Sequence, residues 1–200
     1  MKTKKVAVFL ANGFEEIEAI TPIDLLQRAG ITVDTVSITE NNLVESARKV
    51  RVLADKVIKE INFSEYDMLI LPGGPGFKNY FDSQLLLDKI VEFSKDVENK
   101  KVAAICAAPT VLSSLGILEG KKAVCFPACE EDLLKGNPIL TRERVVKDEN
   151  IITSRSAGTA LDFALEIISE LLGKKEAERI AESQFMKAEL KRLKKQFQAQ

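Results

Sequence analysis

The chain has 200 residues, 29 basic against 30 acidic side chains, a net charge of −1 and a 46% apolar share, the balance of a globular protein with length for one sizeable core. Nothing in that balance points to a nucleic-acid or membrane partner, and no apolar run approaches the roughly 20 residues of a membrane span. With no histidine at all, neither a Cys-His nor a Ser-His catalytic pair can be assembled, and zinc sites of the Cys-and-His type are excluded. The opening Met1-Lys-Thr-Lys-Lys5 lacks the apolar stretch and cleavage site of a signal peptide, and three cysteines suit a reducing compartment. A cytosolic location is therefore expected.

Lys5 to Ala11 reads as an apolar strand ended by the turn pair Asn12-Gly13. Phe14 to Ala29 has apolar residues at helical spacing and stops at Gly30, and Pro22 is expected to kink or restart that helix. Ile31 to Ile38 alternates like a strand. Residues 39 to 59 suggest a small excursion of short strands around Val50–Leu53 and Lys56–Ile58. Tyr66 to Leu71 is a further buried strand, running into Pro72-Gly-Gly-Pro-Gly76. The glycines there permit close backbone approach, but no Gly-Lys-Ser/Thr follows, so Walker-type nucleotide binding is not expected.

A helix is expected from Ser83 to Asn99, with the stripe Leu86, Ile90, Phe93 and Val97. Lys122 to Phe126 reads as a strand, residues 128–144 as loop and short helix broken at Gly136-Asn137-Pro138, and residues 145–153 as a hairpin. Thr159 to Leu172 is a helix, and the tail from Lys174 to Gln200 another. In that tail Met186, Leu190, Leu193 and Phe197 form one apolar stripe among basic residues, which suits packing on a domain or a second subunit.

Val102 to Val111 is the stretch around which the rest is organised. A short apolar run, Val102–Ile105, changes character at Cys106, with Ala107 and Ala108 before Pro109 and an apolar segment from Thr110 to Leu118. Small residues let the backbone turn, and proline suits the first turn of a helix. The expected geometry is strand, tight turn, helix, with the thiol at the apex as in a nucleophile elbow, its pKa lowered by the helix start. The alternative on this stretch alone is a buried structural cysteine. Strand–helix alternation points to an α/β sandwich around a mostly parallel sheet, in which ligands sit beyond the carboxyl ends of the strands. Asn12-Gly13, Pro72–Gly76 and Cys106 all follow strands directly and are expected to share one pocket, within a single domain spanning the chain.

Without histidine the acid/base must be a carboxylate, lysine, tyrosine or water. Of Glu15, Glu16 and Glu18, helical periodicity turns Glu18 inward with Phe14 and Thr21-Pro22, whereas Glu15 and Glu16 read as surface charges at a helix start. A carboxyl beside a thiolate is expected to stay protonated and donate to sulfur. Cys125 and Cys129 alone make a poor metal site. The reading calls for no metal and no cofactor.

Gly13-Phe-Glu-Glu-Ile-Glu18, Leu71-Pro-Gly-Gly74, Ala103-Ala-Ile-Cys-Ala-Ala-Pro109 and Thr153-Ser-Arg155 with Gly158-Thr159 resemble the ThiJ/PfpI superfamily, in the branch of the Parkinson-disease deglycase and its bacterial relatives. The resemblance runs in order from about residue 4 to 185. It implies a flavodoxin-like three-layer sandwich, usually a homodimer, with Cys106 as nucleophile hydrogen-bonded to a buried Glu18. It further implies that backbone N–H groups of Gly74 and Ala107 form an oxyanion site, that Gly73, Asn12 and Phe126 belong to the pocket, and that Arg28 and Arg48 lie near the dimer interface.

Two residues depart from the pattern. The protease-like branch has a histidine directly after its cysteine, where this chain has Ala107, which argues against peptidase activity. The human-type branch has a histidine where this chain has Phe126. The resemblance implies detoxification of small α-oxoaldehydes without glutathione, through glyoxalase or deglycase chemistry. A non-enzymatic oxidative-stress sensor or chaperone acting through oxidation of Cys106 is the alternative.

Overall fold

Every second residue of the first strand, β1 (Lys5–Leu10), points to the same side, and that simple period builds the core. Val6, Val8 and Leu10 belong to one apolar cluster, and Ala7 and Phe9 to another, on opposite faces of the sheet. Both faces are covered, so the strand is apolar throughout rather than alternating. The computed structural model describes residues 3–184 and residue 191.

After β1 come α1 (Glu16–Arg28), β2 (Thr32–Ser37), the pair β3 (Leu43–Glu45) and β4 (Arg51–Leu53), β5 (Lys56–Val57) and β6 (Met68–Leu71). Then follow α2 (Gln84–Lys95), β7 (Lys101–Ile105), α3 (Pro109–Ser114), β8 (Lys122–Ala123), α4 (Glu130–Leu134) and β9 (Ile139–Leu140). The described part closes with β10 (Val145–Asp148), β11 (Ile151–Ser154), α5 (Ala160–Leu172) and α6 (Lys174–Ser183). One seven-stranded sheet has the order β10-β11-β7-β6-β1-β2-β5, parallel except for β10, which runs antiparallel to β11. Its core, β2-β1-β6-β7-β11, is the 2-1-3-4-5 order of flavodoxin-like folds. Residues of α1, α5 and α6 pack on one face, and those of α2 and α3 on the other. Chain progression reverses between β1 and β6, so a crevice opens beyond their carboxyl ends.

Several local expectations change. The helix α1 runs unbroken through Pro22. Proline removes one intrahelical donor, but the Glu15 side chain caps the start and burial of Ala19, Leu25 and Leu26 holds the rest. The helix α2 starts where expected, with Ser83 as its cap, yet it ends at Lys95, and Val97 lies beyond it, 43% exposed. The strand expected over 122–126 shrinks to Lys122–Ala123, which pairs with β9 outside the main sheet. The hairpin β10–β11 and the β3–β4 excursion form as antiparallel pairs. The tail begins as α6, and the stripe Met186, Leu190, Leu193 and Phe197 lies outside the described residues. Among the described residues no helix is long and apolar enough to cross a membrane.

Candidate active site

Strand β7 ends at Ile105, and the next residue, Cys106, has φ 66°, the left-handed region that L residues with a Cβ rarely adopt. Such a conformation costs of order 1–2 kcal/mol and persists only where the surroundings impose it. Here the Cys106 N–H donates to the Ser154 carbonyl at 2.9 Å, the Phe126 N–H donates to the Cys106 carbonyl at 2.7 Å, and the Ala108 N–H closes the turn onto Ile105 at 3.1 Å. Pro109 then opens α3, and the Thr110 hydroxyl donates to the Ala107 carbonyl at 2.7 Å. The elbow is tied on both sides, and its thiol is only half-buried.

Glu18 reaches the elbow from the first turn of α1 and is 1% exposed. Its backbone N–H is held by the Glu15 carboxylate at 2.9 Å, which fixes the register of that turn. Its own carboxyl accepts from the Gly73 N–H at 3.0 Å and from the Ala157 N–H, and meets the Cys106 side chain. Gly73 makes this approach feasible. A Cβ there would stand 2.8 Å from each of the Cys106 Cβ, the Glu18 Oε2 and the Ile105 carbonyl oxygen, far inside van der Waals contact. Gly74 is constrained for a second reason, since its φ is +88° and a Cβ would strike the Glu15 nitrogen at 2.5 Å. The N–H groups of Gly74 and Ala107 both point to the Cys106 sulfur.

Electrostatically the pair differs from the expected thiolate facing a neutral acid. Burial pushes the Glu18 carboxyl up to about 7, against the hydrogen bonds with Cys106, Gly73 and Ala157, with the Glu15 charge adding to the rise. Burial, and then the Glu18 charge, push the Cys106 thiol far above its ordinary value, while the Gly74 and Ala107 N–H groups pull it down. The expected lowering by a helix start does not prevail, because α3 is only six residues long and burial outweighs it. Burial outweighs the two backbone donors on this carboxyl, so near neutral pH Glu18 is poised to exchange a proton with the thiol it contacts.

Of the other residues singled out from sequence, Phe126 borders the elbow through its backbone and is 41% exposed. Asn12 follows β1 as expected, but its side chain accepts from the Glu45 N–H at 3.0 Å. It lines a separate cavity of about 330 Å³ with Ile38, Thr39 and Asn79, away from the thiol. Arg28 pairs with Asp24 at 2.8 Å, and Arg48 is exposed. Glu15 and Glu16 are half-buried rather than free surface charges: Glu15 caps α1, and Glu16 accepts from the Ser46 hydroxyl and from the Arg48 N–H at 2.6 Å. Sequence reasoning missed Ala157, whose N–H holds Glu18, and Ser154, whose carbonyl anchors the elbow. The signal for both was the motif Thr153-Ser-Arg155 with Gly158-Thr159, at and just after the end of β11. Among the described residues no group of three or more His, Cys, Asp or Glu side chains could hold a metal ion.

The DJ-1/PfpI family model matches residues 4–170. This chain belongs to the DJ-1/PfpI family. Among curated relatives, the dj-1beta protein of Drosophila melanogaster is 37% identical over 179 residues, covering 90% of this chain and 95% of that protein. The Parkinson disease protein 7 homolog of Danio rerio is 36% identical over 185 residues, covering 90% of this chain and 96% of its own length. Among solved structures, oxidized Toxoplasma gondii DJ-1 superposes with a TM-score of 0.85 at 36% identity, covering 92% of this chain and 98% of its own. The matched DJ-1/PfpI segment contains Glu18, Gly73, Gly74, Cys106 and Ala107, the residues the fold brings together.

Proposed function

We propose that this protein is a cysteine-dependent enzyme that converts small α-oxoaldehydes to hydroxy acids without glutathione, with deglycation of early aldehyde adducts as the related activity. One observation carries the reading: a strained, half-buried thiol in contact with a carboxyl that burial pushes up to about 7, under two converging N–H groups. Glu18 takes the thiol proton as sulfur bonds to the aldehyde carbon, the carbonyl electron pair moves to oxygen, and that oxygen receives the proton. The N–H groups of Gly74 and Ala107 stabilise the oxyanion as it forms. Glu18 then moves the proton of this carbon to the neighbouring one, while the hydroxyl proton passes to the neighbouring oxygen, which turns the hemithioacetal into a thioester. Water cleaves the carbon–sulfur bond and frees hydroxy acid and thiol. No external oxidant or cofactor enters, because the aldehyde carbon is oxidised as its neighbour is reduced.

The active form is a homodimer built on an apolar face of the α1 and β3–β4 region. Ile17 and Ile20 on α1, Leu43 and Leu53 on the hairpin and Val50 beside it are each more than 40% exposed. The hairpin loop is pinned to the start of α1 by the Ala47 N–H on the Phe14 carbonyl at 2.8 Å. Contiguous exposed apolar residues of this kind mark an association surface. Arg28 and Arg48 flank it on the same elements. Three free thiols suit a cytosolic setting.

The deciding experiment is lactate formation from methylglyoxal by purified protein, with Cys106→Ser alongside. Turnover lost in the variant supports the enzyme. Absence of lactate with the wild type overturns it and favours the second reading, a redox sensor in which peroxide adds two oxygens to Cys106. That reading draws on the oxidized state of the Toxoplasma relative, and the same two N–H groups would hold a sulfinate.

A further inference from the structure

Tyr80 is fully buried, and its place relative to the site was not evident from sequence. It lies in the turn of 3-10 helix Pro75–Asp82 that follows the glycine loop. Its hydroxyl is 2.9 Å from the Pro72 carbonyl oxygen and 3.0 Å from the Phe9 carbonyl oxygen, so one proton is shared between two acceptors. Pro72 C=O and Gly73 N–H are the two ends of one peptide group. The Gly73 end donates to the Glu18 Oε2 at 3.0 Å. A continuous chain thus runs from the phenol through a planar amide to the carboxyl, all of it buried.

An amide whose oxygen accepts a hydrogen bond is polarised and becomes a better donor through its nitrogen, and in a dry interior this strengthening is not averaged away by water. The same contact prevents the Pro72–Gly73 peptide from rotating. This rotation matters because neither flanking position carries a donor that could replace the Gly73 N–H: proline has none, and the Gly74 N–H is spent on sulfur.

We propose that Tyr80 is a positioning residue of the active site, whose hydroxyl holds and polarises the Pro72–Gly73 peptide so that its N–H carries the Glu18 carboxyl. The inference deepens the enzymatic reading above, in that it names what tunes the proposed proton carrier. The titratable groups facing Glu18 are Cys106 from the elbow, Glu15 from its own helix start and Tyr80 itself. A test must therefore silence the thiol and leave Glu15 in place.

The test is the titration of Glu18 by carbon-13 NMR of glutamate-labelled protein in a Cys106→Ser background, with the signal assigned by its loss in Glu18→Gln. Adding Tyr80→Phe removes the hydroxyl and keeps the ring. The Glu18 midpoint is expected to rise by about half a pH unit, since the charged carboxylate loses part of one charge-assisted hydrogen bond. The chain has two tyrosines, so in a Tyr66→Phe background 3-fluorotyrosine enters position 80 alone. A fluorinated phenol is a stronger donor, and the midpoint is expected to fall relative to Tyr66→Phe itself.

Opposite shifts in the two proteins support the proposal. An unmoved midpoint in Tyr80→Phe, accompanied only by a lower Tm, would reduce Tyr80 to a structural residue. If Tyr80→Phe fails to fold, the fluorinated protein decides, and an unmoved or raised midpoint there overturns the proposal. None of these readings requires turnover, so a missing shift counts against Tyr80, whereas missing lactate counts against the enzymatic reading.

Discussion

The elbow at Cys106 and the turn at Cys125–Cys129 are built from similar sequence, yet only one forms a site. Both follow strand residues, both place a cysteine ahead of a proline, and both lead into a short helix, α3 in one case and α4 in the other. The difference lies in what surrounds them. β7 is central in the main sheet, so Cys106 emerges beside the crevice and meets Glu18 from α1 and two N–H groups from separate loops. β8 is a two-residue strand outside that sheet. Cys125 is 0% exposed and its Sγ donates to the neighbouring Phe126 carbonyl at 3.3 Å, a contact that favours the neutral thiol, and burial pushes it up to about 12. Burial raises both thiols, but only Cys106 has a base against it. The candidate site is thus made by convergence of distant segments, not by the local strand–turn–helix pattern.

The comparison breaks most visibly if the two carboxyl-dependent roles at the elbow are separated. Glu18→Gln keeps the shape but cannot carry a proton, and turnover of methylglyoxal is expected to fall by about 10²–10⁴-fold. Alkylation of Cys106 should fall far less than turnover, because the variant removes the base but also the Glu18 charge that pushes the thiol up. Wild-type turnover in this variant would leave Glu18 without its proposed role.

A smaller effect appears in stability. Burial pushes the Glu18 carboxyl from its ordinary 4.5 up to about 7 in the folded protein, so folding favours the protonated form. Its stabilising contribution is complete below the lower value and is lost as pH rises through the higher one. The full span corresponds to about 3 kcal/mol. Urea unfolding of the wild type and of Glu18→Gln across that range should show the wild type losing ground as pH rises. Parallel curves would mean that Glu18 titrates normally.

The close packing of the elbow offers a third contrast. Gly73→Ala forces a methyl against Cys106, Glu18 and a carbonyl oxygen, and a loss of about 1–3 kcal/mol is expected. Ala128→Ser, on the exposed turn between Cys125 and Cys129, should stay within about 0.5 kcal/mol. Thermal melts of both variants check this, and equal effects would remove the distinction. The mildest test is the order of thiol labelling. With brief, limiting iodoacetamide, Cys106 should react about tenfold faster than Cys125, with Cys129 between them. Uniform labelling by peptide mapping would contradict a privileged elbow.

Much of this was legible in the residues. The apolar runs around β1, β6 and β7 announced buried strands, and small residues before Pro109 announced the turn. Glu18 was identifiable by helical period alone, because burial of one face is a local property of spacing. Pro22 and Val97 were misjudged for the opposite reason: whether a helix survives a proline or stops early depends on what its face packs against.

The amino-acid sequence by itself determined the α/β class, the absence of any histidine-based chemistry, the elbow at Cys106 and the inward carboxyl at Glu18. These follow from composition and from periods of two and 3.6 residues, which act over a few positions. Tertiary structure alone decided that Ala157 and Gly73 hold that carboxyl, that Ser154 and Phe126 impose the left-handed backbone on Cys106, and that Tyr80 stands behind the Gly73 peptide. It also decided that the thiol is raised rather than lowered, since the desolvation that dominates its pKa exists only once separate segments have closed around it.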